Sequence, residues 1–420
     1  MLKLNAQQRN CGTMQHLEFL QSKDPQLKVR MQDNEKKLQN WIKNNANEKL
    51  SNIIVIPVVV HVVYNNNNEN ISDQQIQSQI DILNEDFRRL NADAVNTPSA
   101  FLSVSADCQI EFCLATKDPN GNSTTGITRT STSQTSFSTN DGVKYSSSGG
   151  VNAWNTAKYL NIWVCDISGG ILGYAQFPGG PSSSDGVVCD YAYFGNIGTA
   201  TSPYDLGRTA THEVGHWLNL RHIWGDSNCG NDYCNDTPLH NTENYGCPSY
   251  PHLSTCSGTP IEMTMNYMDY TDDACMNMFS QDQKTRMIAA INTSRSGLLT
   301  SNGCSNADYG CTDPTATNYD PAASYDDGSC TYPCINGVAV VYTPGSYANE
   351  NGFTITDCSG AVLASMSSGT VGFNDPCVVL PAVYSVNLTD SYGDGWGGGT
   401  VFNFEGGCYA KTILKKIQKF

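Results

Sequence analysis

The run His212-Glu-Val-Gly-His-Trp-Leu-Asn-Leu-Arg-His222 holds three imidazoles and one carboxylate within a few turns of chain. If Thr209 to Leu218 is helical, His212 and His216 fall one turn apart on one face. Both rings can then reach a single ion at about 2.0–2.1 Å, the bond length of zinc to imidazole. Glu213 flanks that ion without binding it. From there it can take a proton from a zinc-bound water, whose pKa the metal lowers to about 7, and return it to a leaving amine. Residue types and spacing therefore point to metal-assisted hydrolysis.

His222 lies too far beyond His216 to share its face on a continuous helix, so the helix must end between them. Asn219 is the expected turning point, because after glycine it is asparagine that best tolerates a left-handed backbone. The whole pattern resembles the metzincin signature, with Asn219 where that signature has glycine. Asn266-Tyr-Met-Asp-Tyr270 resembles the accompanying Met-turn. The resemblance implies Met268 as an apolar floor beneath the metal and Tyr270 as a hydrogen-bond partner of the tetrahedral intermediate.

Longer stretches narrow the likeness. His212 to Asp226, Asn231 to Pro238 and Met265 to Phe279 resemble the pappalysin family of metzincins, and within it the bacterial cytophagalysin or ulilysin-like branch, over about residues 50 to 300. The family implies secreted endopeptidases that carry structural calcium. Asp232, Asp236 and Thr237 match a family stretch that binds calcium, and hard cations prefer such oxygen ligands; a plain acidic surface turn is the other reading. Asp269, Asp272 and Asp273 lie by the Met-turn, where the pocket for the residue after the scissile bond is expected. A carboxylate there selects Arg or Lys in some relatives, while solvated or calcium-binding carboxylates are the alternatives.

Seventeen cysteines without a Cys-x-x-Cys pair point to disulfides formed outside the cell. Sixteen can pair. The natural singleton is Cys11, in Arg9-Asn-Cys-Gly-Thr13 upstream of the zinc motif. Related zymogens carry a similar element, which implies that the Cys11 thiolate takes the open zinc position and keeps the enzyme latent until it is cleaved.

The elements that must position these residues can be read more coarsely. Residues 1–50 form a polar pro-segment with a weak helical pattern from Met31 to Ile42 and an activation cut near Lys49. This segment carries nine Lys and Arg against five Asp and Glu; against the formal −16 of the whole chain it is +4 and the remainder −20, so the two parts should attract. Net acidity argues against nucleic acid as a partner, and no apolar run reaches the roughly 18 residues that would span a bilayer. The first residues lack a hydrophobic signal core, so a secretion signal is expected to be missing from this chain.

Residues 51–300 read as an α/β (α+β) metzincin catalytic domain with a twisted mixed sheet and a zinc-site helix. Ile53 to Tyr64 is a β-branched run suited to a buried strand. A capping-box pattern at Ser72 to Gln75 then leads into a helix with Ile76, Ile80, Leu83, Phe87 and Leu90 on one face. Gln109 to Ala115, Leu160 to Ile167 and Val187 to Phe194 are further strands. A flexible Ser/Thr/Gly-rich loop precedes a short helix at Trp154 to Leu160. Ile171 to Pro178 resembles the family's edge strand, in which Gly173, Tyr174 and Ala175 would pair antiparallel with an extended substrate. Cys229, Cys234, Cys247, Cys256 and Cys275 should staple the region after the zinc motif, and Ser280 to Leu299 closes it as a helix.

Residues 301–334 are a Cys/Asp-rich spacer, where Asp313, Asp320, Asp326 and Asp327 offer either a calcium site or a plain turn cluster. Residues 335–420 alternate β-branched runs with turns, the pattern of a small β-sandwich followed by a Lys-rich tail. The expected function is a secreted zinc endopeptidase made as a latent zymogen and acting on protein or peptide substrates. The alternative is a secreted adhesion or carbohydrate-binding protein with a vestigial protease domain, meeting glycans or a cell surface through the C-terminal module.

Overall fold

In the computed structural model the β-branched run becomes strand β1, Ile54–Tyr64, and Val58, Val59, Val60, Val62 and Val63 are fully buried along it. Burial on both faces is what an unbroken aliphatic run requires, and β1 meets it as the middle of a mixed sheet. Its neighbours are β2, Ile110–Leu114, β3, Ile127–Ser131, and β4, Leu160–Cys165, all parallel to it. β6, Val187–Asp190, continues parallel beyond β4, and β5, Gly173–Ala175, closes the edge antiparallel to β6. The order is β2-β1-β4-β6-β5, with β3 pairing the far half of β1.

Helix α3, Asp73–Phe87, packs Ile76, Ile80, Leu83 and Phe87 onto this sheet. Only half of the expected capping box forms there. Ser72 Oγ accepts from Gln75 N at 3.1 Å, while the Gln75 side chain reaches across to Phe194 O and Thr199. The helix stops at Phe87, so Leu90 leaves the apolar stripe and is exposed. The complete capping box is instead at Ser280, heading α5, Gln281–Ser294. The zinc-motif helix is α4, Arg208–Trp217, capped by Gly207 in a left-handed conformation.

Several expectations are corrected. Residues 154–159 form turns rather than a short helix, because Trp154 and Tyr159 stack edge to face instead of continuing a helical face. The polar loop expected before it contains β3, an Ile-Thr-Arg-Thr-Ser strand whose mixed burial suits a sheet margin. Val187 to Phe194 is a strand only to Asp190, whose side chain accepts from Ala192 N and turns the chain. The N-terminal segment holds two helices, α1, Thr13–Lys23, and α2, Leu27–Asn44. Leu17, Leu20 and Leu27 cluster with Phe177 just after β5, and Leu38 packs on Ala289 and Ala290 of α5.

The structure describes residues 8–45 and 53–304 throughout and parts of 309–391. The Lys49 cut, Asp313, Asp320, Asp327 and the Lys-rich tail lie outside the described residues. The chain divides into two compact units at residues 307 and 308. Described disulfides are Cys113–Cys304, Cys229–Cys256, Cys247–Cys275 and Cys311–Cys330. The expectation that every cysteine but Cys11 pairs does not hold: Cys108, Cys165, Cys189 and Cys234 are free and buried, as apolar filling, and Cys358 is free and exposed. The second unit contains a three-stranded antiparallel sheet of Asn351–Asp357, Val362–Met366 and Tyr384–Asp390. A separate pair is made by Val338–Tyr342 and Phe373–Val378, and both meet at a small apolar core around Phe353 and Ile355. Among the described residues no helix is long and apolar enough to cross a membrane.

Candidate active site

Helix α4 presents His212 and His216, and the chain then reverses at Asn219, whose φ of 72° is the left-handed turn the spacing demands. Leu220 N closes the turn on Gly215 O at 2.9 Å, and the reversal carries His222 back to the other two rings. His216 Nε2 lies 3.1 Å from His212 Nε2 and 3.0 Å from His222 Nε2. All three side chains are buried, and together with the Cys11 thiol they form the one cluster with metal-ligand spacing among the described residues.

The hydrogen bonds behind the rings fix their protonation. Each Nδ1 faces an atom that can only accept: Tyr267 O at 2.7 Å for His212, Leu220 O at 2.9 Å for His216, and Asp226 Oδ1 at 2.5 Å for His222. The proton therefore sits on Nδ1 and the three Nε2 lone pairs converge. Burial, then repulsion from the neighbouring rings, holds His212 and His216 well below the ordinary imidazole range. Three converging lone pairs with no donor between them suit a divalent cation, and the donor set suits zinc.

The Met-turn supports the site from below. Met268 is fully buried, and a β-carbon on Gly215 would stand 2.6 Å from its sulfur, so helix and turn touch directly beneath the histidines. The Tyr270 ring lies 5.0 Å from that of His222 and 5.8 Å from that of His212. Trp224 stacks flat on His222 at 4.4 Å. Glu213, fully enclosed, is pushed up to about 7 by burial, against the lowering influence of Cys11, Thr13 and Arg9.

The N-terminal segment fills the cleft. Gly12 N donates to Gly173 O at 2.8 Å, Leu172 N to Asn10 O at 2.9 Å, and Ala175 N to Thr13 Oγ1 at 2.9 Å. Cys11 and Gly173 pair in parallel, the reverse of the direction expected for a substrate on this edge. Thr13 Oγ1 donates to Glu213 Oε2 at 2.8 Å. Burial, and then the Glu213 charge, push the Cys11 thiol well up, while Thr13 N donates to its sulfur at 3.4 Å and the Tyr270 hydroxyl stands beside it.

The three aspartates near the Met-turn part company. Asp273 binds Arg9 of the N-terminal segment with one oxygen, while its other accepts from Leu206 N at 2.8 Å and Arg208 N at 3.2 Å. The Arg9 guanidinium also donates to Thr271 O and lies 4.8 Å above the Tyr204 ring. Asp272 stands partly exposed beside it. Asp269 faces elsewhere: it is fully buried and accepts from Asn244 and from Tyr270 N, bracing the turn, with burial raising it to about 7.

The expected oxygen cluster also divides. Thr237 Oγ1 sits 3.0 and 2.9 Å from the two Asp232 oxygens, whereas Asp236 turns away to cap α5 through Ser280 Oγ and Asp282 N. Cys234, expected in a disulfide, is a buried thiol between them. Sequence reading passed over Gly215, Thr13 and Asp226. Of these Asp226 had a signal, a carboxylate one helical turn after a metal-type histidine.

Residues 145–292 match the family Peptidase_M43, described as pregnancy-associated plasma protein-A. The chain is 30% identical over 303 residues to extracellular metalloprotease 1 of Coccidioides posadasii, spanning 70% of this chain and 92% of that one. It is similar to a mutant of promirolysin from Tannerella forsythia, with 51% identity, a TM-score of 0.65, and coverage of 71% of this chain and 99% of that one. Mature mirolysin from Tannerella forsythia in complex with a cleaved peptide aligns at 55% identity and a TM-score of 0.59, covering 61% of this chain and 98% of that one.

Proposed function

From the premise that this chain belongs to the pappalysin family of metzincin metallopeptidases, we propose that it is a secreted zinc endopeptidase held latent by its own N-terminal segment. The observation that carries this reading is the convergence of three Nε2 atoms and the Cys11 thiol, with Glu213 alongside. His212, His216 and His222 would hold the zinc. A bound zinc acts as a Lewis acid that brings the pKa of water to about 7 and polarises the scissile carbonyl.

The remaining work falls to side chains. Glu213, raised to about 7 by burial, accepts the proton of the attacking water and passes it to the leaving amine. Tyr270 donates its hydroxyl to the developing oxyanion. Gly173 and Ala175 offer outward amides and carbonyls to an extended substrate, with Tyr174 between them facing β6. Asp273 takes Arg or Lys after the scissile bond, a preference supported by Arg9 already seated on it.

Latency follows from the same contacts. Residues 9–16 lie in the cleft, Thr13 engages the general base, and Cys11 stands where the histidines converge. Its backward run along β5 keeps its own peptide bonds out of register for attack. A cation at the histidines would hold Cys11 as thiolate against the upward push of burial. Structural calcium is proposed at Asp232 and Thr237, where burial raises the carboxyl to about 6 and a cation would relieve it. Calcium should then raise the melting temperature of the intact protein and fail to do so in Asp232→Asn.

Relatives named as extracellular metalloproteases favour the enzyme over the adhesion reading. The deciding experiment compares processed wild type with Glu213→Gln on a peptide library. The variant should lose about 10²–10⁴-fold in kcat, and chelation should abolish wild-type cleavage. Turnover by the variant close to that of wild type would reject the mechanism.

A further inference from the structure

A buried carboxylate that the catalytic steps leave unused lies behind the edge strand. Asp141 has a φ of 64°, a left-handed backbone that aspartate tolerates better than most side chains do. Its Oδ1 lies 2.8 Å from Lys144 Nζ, and that ammonium also donates to Ser184 O at 2.8 Å. Lys144 is fully buried over the rings of Trp163 and Tyr174, at 5.4 and 5.0 Å. Within the catalytic unit the pair is electrically balanced and fixed.

What fills the space in front of it comes from the N-terminal segment. His16 is 1% exposed, with Nδ1 3.3 Å from Ala175 O, Nε2 2.9 Å from Asp141 Oδ1, and its ring 4.9 Å from that of Tyr174. Each ring nitrogen thus faces one acceptor. Ala175 belongs to the edge on which an extended substrate would lie. Because such a substrate runs antiparallel to β5, its part before the scissile bond passes Ala175, while Arg9 marks the part after the bond.

We infer that Asp141, Lys144, Tyr174 and the Ala175 carbonyl form a specificity pocket for a substrate side chain before the scissile bond, that its preferred guest is a neutral hydrogen-bond donor, histidine foremost, and that His16 is its occupant in the latent chain. This rests on the latent-protease reading. Neutrality follows from the charges present. Lys144 already balances Asp141, so an arginine or lysine guest would place a second cation beside a buried ammonium. His16 itself is held below the ordinary imidazole range, by burial first and by Lys144 second. A neutral ring, which carries one N–H, donates to the carboxylate or to the carbonyl without that repulsion.

The test uses the processed full chain and one cleaved peptide in which each position before the scissile bond is in turn Ala, His, Gln, Lys or Arg, at about pH 8 so that histidine is neutral. One position should favour histidine over alanine, lysine and arginine by about five- to tenfold in kcat/KM, the worth of one added hydrogen bond, with the gain residing in KM. Asp141→Asn should bring the histidine-to-alanine ratio close to one. Should that variant not fold, because Lys144 is left unpaired, Asp141→Asn combined with Lys144→Gln removes both charges and should give the same ratio. A flat profile in the wild type, a preference for lysine or arginine at that position, or a histidine preference that survives in the variants overturns the inference while leaving the protease reading intact. No cleavage of any library peptide overturns both.

Discussion

Gly215 and Met268 meet so closely that residue 215 has no room for a side chain: a β-carbon there would stand 2.6 Å from the methionine sulfur. Helix α4 and the Met-turn are thereby locked in one relative position, and with them His212, His216 and Tyr270. Gly215→Ala must push Met268 aside in a fully buried site. It should cost about 1–3 kcal/mol of stability, visible as a lower denaturant midpoint, and should lower metal affinity in a competition titration. A variant as stable and as metal-loaded as wild type would show that the contact positions nothing.

Cys11→Ala should give a precursor that cleaves peptides before any processing. Loss of one charge-assisted contact of about 1.5–3 kcal/mol moves a latent equilibrium by roughly ten- to a hundredfold. Arg9, Thr13 and His16 still hold the segment, so activity should be partial. Peptide assays on the uncleaved chain decide it, and a variant as silent as its parent would remove the thiol from the latency mechanism.

Asp273 keeps two backbone amides on one oxygen and offers the other to Arg9. Asp273→Asn retains the amide contacts and loses the charge. Cleavage before arginine should fall by about ten- to a hundredfold while cleavage before alanine changes little. An unchanged arginine-to-alanine ratio would place the specificity elsewhere.

His61, fully buried between Thr128 and Asn161, is lowered to about 4 chiefly by burial. The unfolded chain takes up this proton near pH 6.5 and the folded one near 4, so the contribution to stability is complete above about 6.5 and is lost as pH falls through about 4, a swing on the order of 3 kcal/mol. Unfolding of wild type and His61→Asn compared at several pH values across that window should show the smaller decline in the variant. Parallel declines would exclude His61 as the cause.

The metal-type histidines were legible because two of them must share a helical face and the third must follow a reversal, and both demands appear as local spacing. Asn219 met the second with the left-handed φ the turn needs. Contacts across long stretches of chain left no such trace. Nothing in the neighbourhood of His16 or Arg9 announces Asp141 or Asp273. Strand β3 was hidden because threonine and serine serve strand margins and loops alike. Counting cysteines assigns Cys108, Cys165 and Cys189 to disulfides, yet they are free, because a thiol fills an apolar space as well as a small aliphatic group does.

The Cys113–Cys304 bond sits where the first compact unit gives way to the second. Cys113 lies in β2, hydrogen-bonded alongside β1 from Ile54 to Val58. Tension arriving from the downstream chain would therefore bypass the closing helix and enter the central sheet along its strands, where several ladder bonds must shear together before anything yields.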